Sequence, residues 1–257
     1  MSAVTVTAST SPTTPLGRVW RIVKLITANP ATVIGWPVAI LGAIFVMNWT
    51  IWWLIFINLD ATQSSDAAAG IQYNGAVSFV FVYMMIVAVQ ALNLTFPLAL
   101  GYGSTRRSFS QGAILAFVLL AIGYASIMTL GAWIEELTGG WGLDGSFFRT
   151  LYFASQDGWF AQWWIYFCWL VFFLFTGTIF AAMYVRWKAT GLIVSFGILG
   201  ILVVGAIAIV TFTDAWGSFW QALADLGTLG VASAALIPAV LGAVLGYLVL
   251  SRATPRG

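Results

Sequence analysis

The sequence predicts an all-α, polytopic membrane protein: six transmembrane helices with both termini in the cytoplasm, an N-terminal cytoplasmic interfacial helix, and short outer amphipathic helices. Three observations carry this reading. Only 7% of the 257 residues are charged and 61% are hydrophobic, with a mean hydropathy of +0.97, against roughly 25% charged in soluble domains. So few charges cannot cover a water-facing surface, so the outer surface faces lipid. Second, the apolar residues fall into six runs, each long enough to cross a hydrocarbon core of about 30 Å. Third, the cationic side chains gather in alternate connections.

Residues 1–14 are rich in Ser, Thr and Pro and carry no charge. They read as a disordered cytoplasmic tail and lack the basic region and apolar core of a signal peptide. Over residues 15–29 the pattern changes. Leu16, Val19, Val23 and Ile26 share one helical face and Arg18, Arg21 and Lys24 the other, which predicts an amphipathic helix on the cytoplasmic leaflet with Trp20 at the boundary. Asn29 and Pro30 end it. The transmembrane domain follows over 34–251, with spans at about 34–57, 76–100, 112–134, 163–185, 191–212 and 229–250.

Charge placement tests this division independently of hydropathy. Arg18, Arg21 and Lys24 precede the first span, Arg106 and Arg107 follow the second, Arg186 and Lys188 follow the fourth, and Arg252 and Arg256 follow the sixth. Arg149 alone falls in the other set of connections. That set also holds Asp60, Asp66, Glu135, Glu136, Asp144, Asp157, Asp214 and Asp225. The positive-inside rule then places both ends in the cytoplasm of an inner (plasma) membrane. Five or seven spans would scramble the pattern.

Two outer connections are too apolar for free loops. Residues 135–162 include Trp141, Phe147, Phe148, Tyr152, Trp159 and Phe160, and predict one or two short helices folded onto the outer surface. Between Asp214 and Asp225, Trp216, Phe219, Trp220 and Leu223 form an i, i+3, i+4, i+7 stripe, which predicts a short interfacial helix.

The reagents of enzyme chemistry are scarce. With no histidine and a single cysteine, Cys168, the chain lacks His-based triads, His-ligated metal sites, Cys-rich zinc sites and any internal disulfide. No G-x-x-x-x-G-K-[ST] phosphate loop occurs, so the chain does not hydrolyse ATP alone. Glu135-Glu136 resembles the start of a prenyl-endopeptidase motif, but the arginine and histidines of that motif are missing. The pair reads as two solvated acids at a helix end. Within the spans the polar residues are neutral: Asn48, Gln90, Asn93, Thr176 and Thr178. Tyr83, Gln90, Asn93 and Pro97 share a face of the second span. They read either as a weakly polar wall of a substrate path, together with Asn48, or as interhelical fastening contributing about 1 kcal/mol or less per bond. Gly242 and Gly246 form a small-xxx-small pair suited to close packing.

Between the second and third spans the sequence reads Gly101-Tyr102-Gly103-Ser104-Thr105-Arg106-Arg107-Ser108-Phe109-Ser110. Two glycines stop a helix, Ser104 or Thr105 can cap the next, and the arginines place two fixed charges beside an aromatic. The stretch reads as a topology anchor or as a knob for a soluble partner. At this loop the chain resembles the permease subunits of type-2 ATP-binding-cassette (ABC) exporters. They share the amphipathic helix before the first span, six spans with both ends inside, the Arg-Arg-Ser-Phe element, and the outer amphipathic segment before the sixth span. A departure is the aromatic outer segment 135–162, longer than a minimal permease needs.

The resemblance implies a half-transporter that pairs with a second permease, as homodimer or heterodimer, and binds a separate ABC ATPase subunit. Ser104, Thr105, Arg106, Arg107, Ser108 and Phe109 would then contact the ATPase, with Arg18, Trp20, Arg21 and Lys24 against the same partner. ATP and Mg would be bound by that partner, not by this chain; membrane lipid is expected as a further partner and nucleic acid is not. An alternative of a different class is a non-transporting membrane scaffold or accessory subunit of another complex, which fits the absence of membrane-embedded charge equally well.

Overall fold

The first helix starts at residues that satisfy or remove a free amide. Thr14 precedes α1 (Pro15–Ile26); its hydroxyl accepts from the Gly17 amide at 3.2 Å, and Pro15, with no amide to satisfy, opens the first turn. The computed structural model describes residues 14–58, 75–150, 153–154 and 158–252, and every regular element among them is helical. Residues 1–13, Asp60, Asp66, Tyr152, Asp157 and Arg256 lie outside the described residues.

A π-helical turn, Ala31–Gly35, leads into α2 (Trp36–Phe56). Then come α3 (Ser78–Gln90), a second π-helical turn (Ala91–Thr95), α4 (Phe96–Gly101), α5 (Arg106–Leu137), α6 (Trp159–Phe212), α7 (Trp216–Ala234) and α8 (Leu236–Arg252). Both π turns lie just before a proline, Pro37 and Pro97, whose ring displaces the carbonyl four residues back. At the first turn the consequence is visible. The Trp36 amide bonds the Ala31 carbonyl and residue 37 has no amide, so the Thr32 and Val33 carbonyls lose their helical donors. Tyrosines supply replacements: Tyr83 donates to Thr32 at 3.1 Å and Tyr124 to Val33 at 2.7 Å.

Five helical stretches among the described residues are long and apolar enough to cross a membrane: Ala31–Phe56, Ser78–Gly101, Arg106–Leu137, Trp159–Phe212 and Trp216–Leu250. The fourth, at 54 residues, would be about 80 Å long if straight. It is not straight. Lys188 has φ 55 and ψ −147, and the chain reverses there. The Phe180 and Phe196 rings stack with centroids 4.8 Å apart, where a continuous helix would separate them by about 24 Å. Ser195 Oγ lies 3.1 Å from Met183 Sδ. α6 is therefore a hairpin of two apolar arms, at the place where the sequence puts the Arg186–Lys188 connection. Gly227, at φ 62 and ψ 179, similarly separates the amphipathic turns 216–226 from the last rod, so the aromatic stripe forms its own short helix as expected.

The core lies among α3, α5, the first arm of α6 and α8. Val80, Phe81, Met84, Ala88 and Leu92 meet Phe117, Ala121, Ala125 and Met128, with Leu170 and Leu174, all buried at three- and four-residue spacing. Gly242 and Gly246 face Ile179 and Thr178, where a Cβ would approach to 2.9 and 2.8 Å, so they are the close-packing pair that the sequence indicated. The second arm of α6 has almost no protein cover: Ile201 is 74% exposed and Val204 67%. Water would not tolerate that surface, whereas hydrocarbon chains solvate it at no cost.

α5, from Arg106 to Leu137, contains the stretch 112–134, with Thr105 capping it directly after the glycine turn. Two expectations need correction. Between α5 and α6 the described residues form only a distorted π-helical turn, Gly140–Asp144, in place of the expected short helices. Gly139, Trp141 and Gly142 take positive φ angles of 58, 61 and 76°, and the following backbone amides are spent on a side chain. α1 is amphipathic as expected, but α5 covers its apolar face: Ile22, Val23 and Ile26 are buried, and only Leu16 is left exposed at 80%.

Candidate functional site

Gly112 on α5 sits so close to α1 that a Cβ there would lie 2.4 Å from Ile22 Cβ and 2.9 Å from the Val19 carbonyl. Twelve residues further along α5, Tyr124 bonds the Val33 carbonyl, eleven residues beyond Ile22. The two contacts follow one another in the same order on both segments, so the stretch from α1 to the first π turn runs alongside α5 in the same direction. The exposed face of α1 carries Arg18, Trp20, Arg21 and Lys24. Arg106 and Arg107 lie in the first turn of α5, less than two turns before Gly112. One end of the molecule therefore carries both cationic groups on a two-helix stub.

The residues of that turn have distinct tasks. Gly103 takes φ 78, a conformation open to glycine, and ends α4. Thr105 is the N-cap of α5, its Oγ1 accepting from the Ser108 amide at 3.2 Å and donating to Ser108 Oγ at 2.9 Å. Arg107 and Thr105 are exposed, and Ser104, Arg106 and Ser108 are partly so. Phe109 is fully buried and packs edge-on against Phe96 at 5.1 Å. It anchors the turn and presents nothing to a partner, contrary to the role the resemblance gives it.

The four residues of the expected path do not form one wall. Asn48 donates back to the Ile44 carbonyl of its own helix at 2.9 Å. Tyr83 is committed to Thr32 and Gln90 is exposed. Asn93 lines a groove of about 360 Å³ between α3 and the α6 hairpin, with Met85, Val89, Phe180, Tyr184 and Phe196. Its Oδ1 is buried without a hydrogen-bond partner. Interhelical fastening falls instead to aromatic donors: besides the two tyrosines, Trp163 and Trp164 donate to Ser126 and Ser233 at 3.2 and 3.0 Å.

At the opposite end of α5 is a site that the sequence reading missed. Glu135 is 3% exposed, not solvated. Its Oε2 accepts from the Phe147 and Phe148 amides at 2.8 Å each and from Trp141 Nε1 at 3.0 Å, and its Oε1 accepts from the Arg149 amide at 3.0 Å. Three successive backbone amides converging on one carboxylate form an anion nest. Tyr166 donates to the Phe148 carbonyl at 2.9 Å and closes the site from below. Glu136, one residue on, is exposed and bridges to the Arg149 side chain. Since backbone amides leave no residue pattern, only the unusual Glu-Glu pair before a Gly-rich aromatic segment could have signalled it.

No family model matches this chain, and comparison with curated proteins and with solved structures gave no match.

Proposed function

We propose that the chain is the permease subunit of an ATP-driven ABC exporter, crossing the inner membrane six times with both termini in the cytoplasm. In this reading α1 and the first turns of α5 are the docking face for a separate ATPase subunit, which binds ATP and Mg, and a second permease completes the path. One observation carries the proposal: α1, with its exposed cationic face, packs against α5 within two turns of Arg106-Arg107. α5 has 32 residues, about 48 Å against a hydrocarbon core of about 30 Å, so the rod is long enough for its capped, cationic end to extend into the cytosol.

α5 is also one unbroken helix from that stub to Glu135. A push on the stub would reach the outer segment as a rigid-body shift of the rod, the type of motion that switches access in packed helical proteins. The chemistry resides on the ATPase; this chain contributes a lever and, at Asn93, a groove wall whose unsatisfied oxygen favours a ligand with a hydrogen-bond donor.

The test is affinity purification from native membranes, followed by the variant Arg106→Glu with Arg107→Glu. The expected outcome is a nucleotide-binding protein that co-purifies with the native chain and is lost, or hydrolyses ATP without transport, with the variant. A chain that inserts normally and brings down no ATPase would leave the scaffold reading in its place.

A further inference from the structure

Lys188 sits at the apex of the α6 hairpin with φ 55 and ψ −147. Glycine adopts this conformation at little cost, whereas a lysine is strained there, and such strain in a non-glycine residue is a pointer to use of its side chain. Beside the apex lies a second groove of about 420 Å³, lined by Met183, Trp187, Thr190, Val194, Ser195 and Ile198. Its walls are nearly all apolar. Trp187 joins the groove to the charges: its ring lies 4.5 Å from the Arg186 guanidinium. Arg186 and Lys188 are both exposed, and neither has an ion-pair partner among the described residues. Two uncompensated cations above an apolar slot match an anionic headgroup above a hydrocarbon tail.

We infer that this hairpin is a binding site for an anionic phospholipid, with the phosphate between Arg186 and Lys188 and an acyl chain along the groove beneath Trp187. The inference rests on the membrane placement proposed above and is independent of the ATPase. The neutral polar groups of the groove fit the glycerol region better than a free hydrocarbon. Ser195 is already engaged with Gly191 and Met183, which leaves the Thr190 hydroxyl nearest the apex for an ester oxygen.

The experiment uses the full chain in neutral detergent, titrated with dioleoyl phosphatidylglycerol or dioleoyl phosphatidylcholine and followed by native mass spectrometry. The native chain is expected to prefer the anionic lipid roughly thirtyfold, the scale set by two interfacial cations. Arg186→Gln with Lys188→Gln should abolish the preference, and Val194→Trp, which fills the groove from an exposed position, should weaken binding of the same lipid. Lys188→Gly separates strain from recognition: it should unfold at a higher temperature in lipid-free detergent yet lose selectivity. Equal binding of the two lipids by the native chain, or a preference that survives in the double glutamine variant, would overturn the site. Inorganic phosphate producing the same stabilisation as the lipid would overturn the acyl-chain half of it. Flotation with phosphatidylcholine vesicles provides the separate control, since a chain that fails to float indicts the membrane placement itself.

Discussion

Glu135 and Glu136 are adjacent and chemically identical, and the fold gives them opposite tasks. Glu135 gathers three backbone amides and an indole N–H inside the outer segment, while Glu136 makes an exposed bridge to Arg149. Removing a buried acceptor strands every donor that faced it, at about 1–3 kcal/mol for each unsatisfied group; an exposed ion pair contributes about 0–1 kcal/mol. Glu135→Ala is therefore expected to destabilise the chain by about 3 kcal/mol or more, Glu135→Gln by less, because one oxygen can still serve the Oε2 donors, and Glu136→Gln by under about 1 kcal/mol. Cys168, the single cysteine, is fully buried, so the rate at which it reacts with a fluorogenic maleimide on heating measures all three. A Glu135→Ala midpoint equal to that of Glu136→Gln would show that the nest holds nothing. At this scale little was legible. The sequence marks both acids as outer, but Glu135 owes its burial to amides of Phe147, Phe148 and Arg149, and an amide is present in almost every residue.

Elements were easier to read, because periodicity reports them directly. The faces of α1, the stripe Trp216–Phe219–Trp220–Leu223 and the Gly242/Gly246 pair all appear where their spacing put them. What spacing does not report is the partner of a face. The apolar side of α1 suits a lipid surface and a protein helix equally well; the small residue on α5, Gly112, decides for the helix by allowing backbone approach. Gly112→Leu places a side chain where Ile22 now sits, and overpacking of this kind costs about 1–3 kcal/mol. The expected result is a chain that still inserts, whose α1 becomes accessible to protease, and which loses the ATPase proposed to dock there. Protection of α1 unchanged by the leucine would show that the contact is dispensable. The reversal at Lys188 was half legible: the charges located it, but no glycine or proline marks a one-residue turn.

On the scale of the whole molecule, hydropathy and charge give two separate constraints that the hairpin reconciles. Five stretches qualify as spans by length and composition, and that odd number would bury Arg186 and Lys188 in the middle of one span and put Arg252 on the side opposite Arg106-Arg107. Counting the two arms of α6 separately restores an even number and returns every arginine- or lysine-bearing connection except Arg149 to one side. This arithmetic has a direct readout in a Cys168→Ser background carrying one new cysteine at a time. Tyr102→Cys, at a position 80% exposed, and Thr190→Cys, beside the hairpin apex, are expected to react with a membrane-impermeant maleimide only after the cells are opened. Ser218→Cys, on the exposed aromatic helix before the last rod, is expected to react in intact cells. Labelling of Thr190→Cys from outside would mean that α6 crosses once or not at all. It would separate the Arg106-Arg107 turn from the hairpin apex by a full membrane thickness, and the proposed lever and the proposed lipid site could no longer share a leaflet.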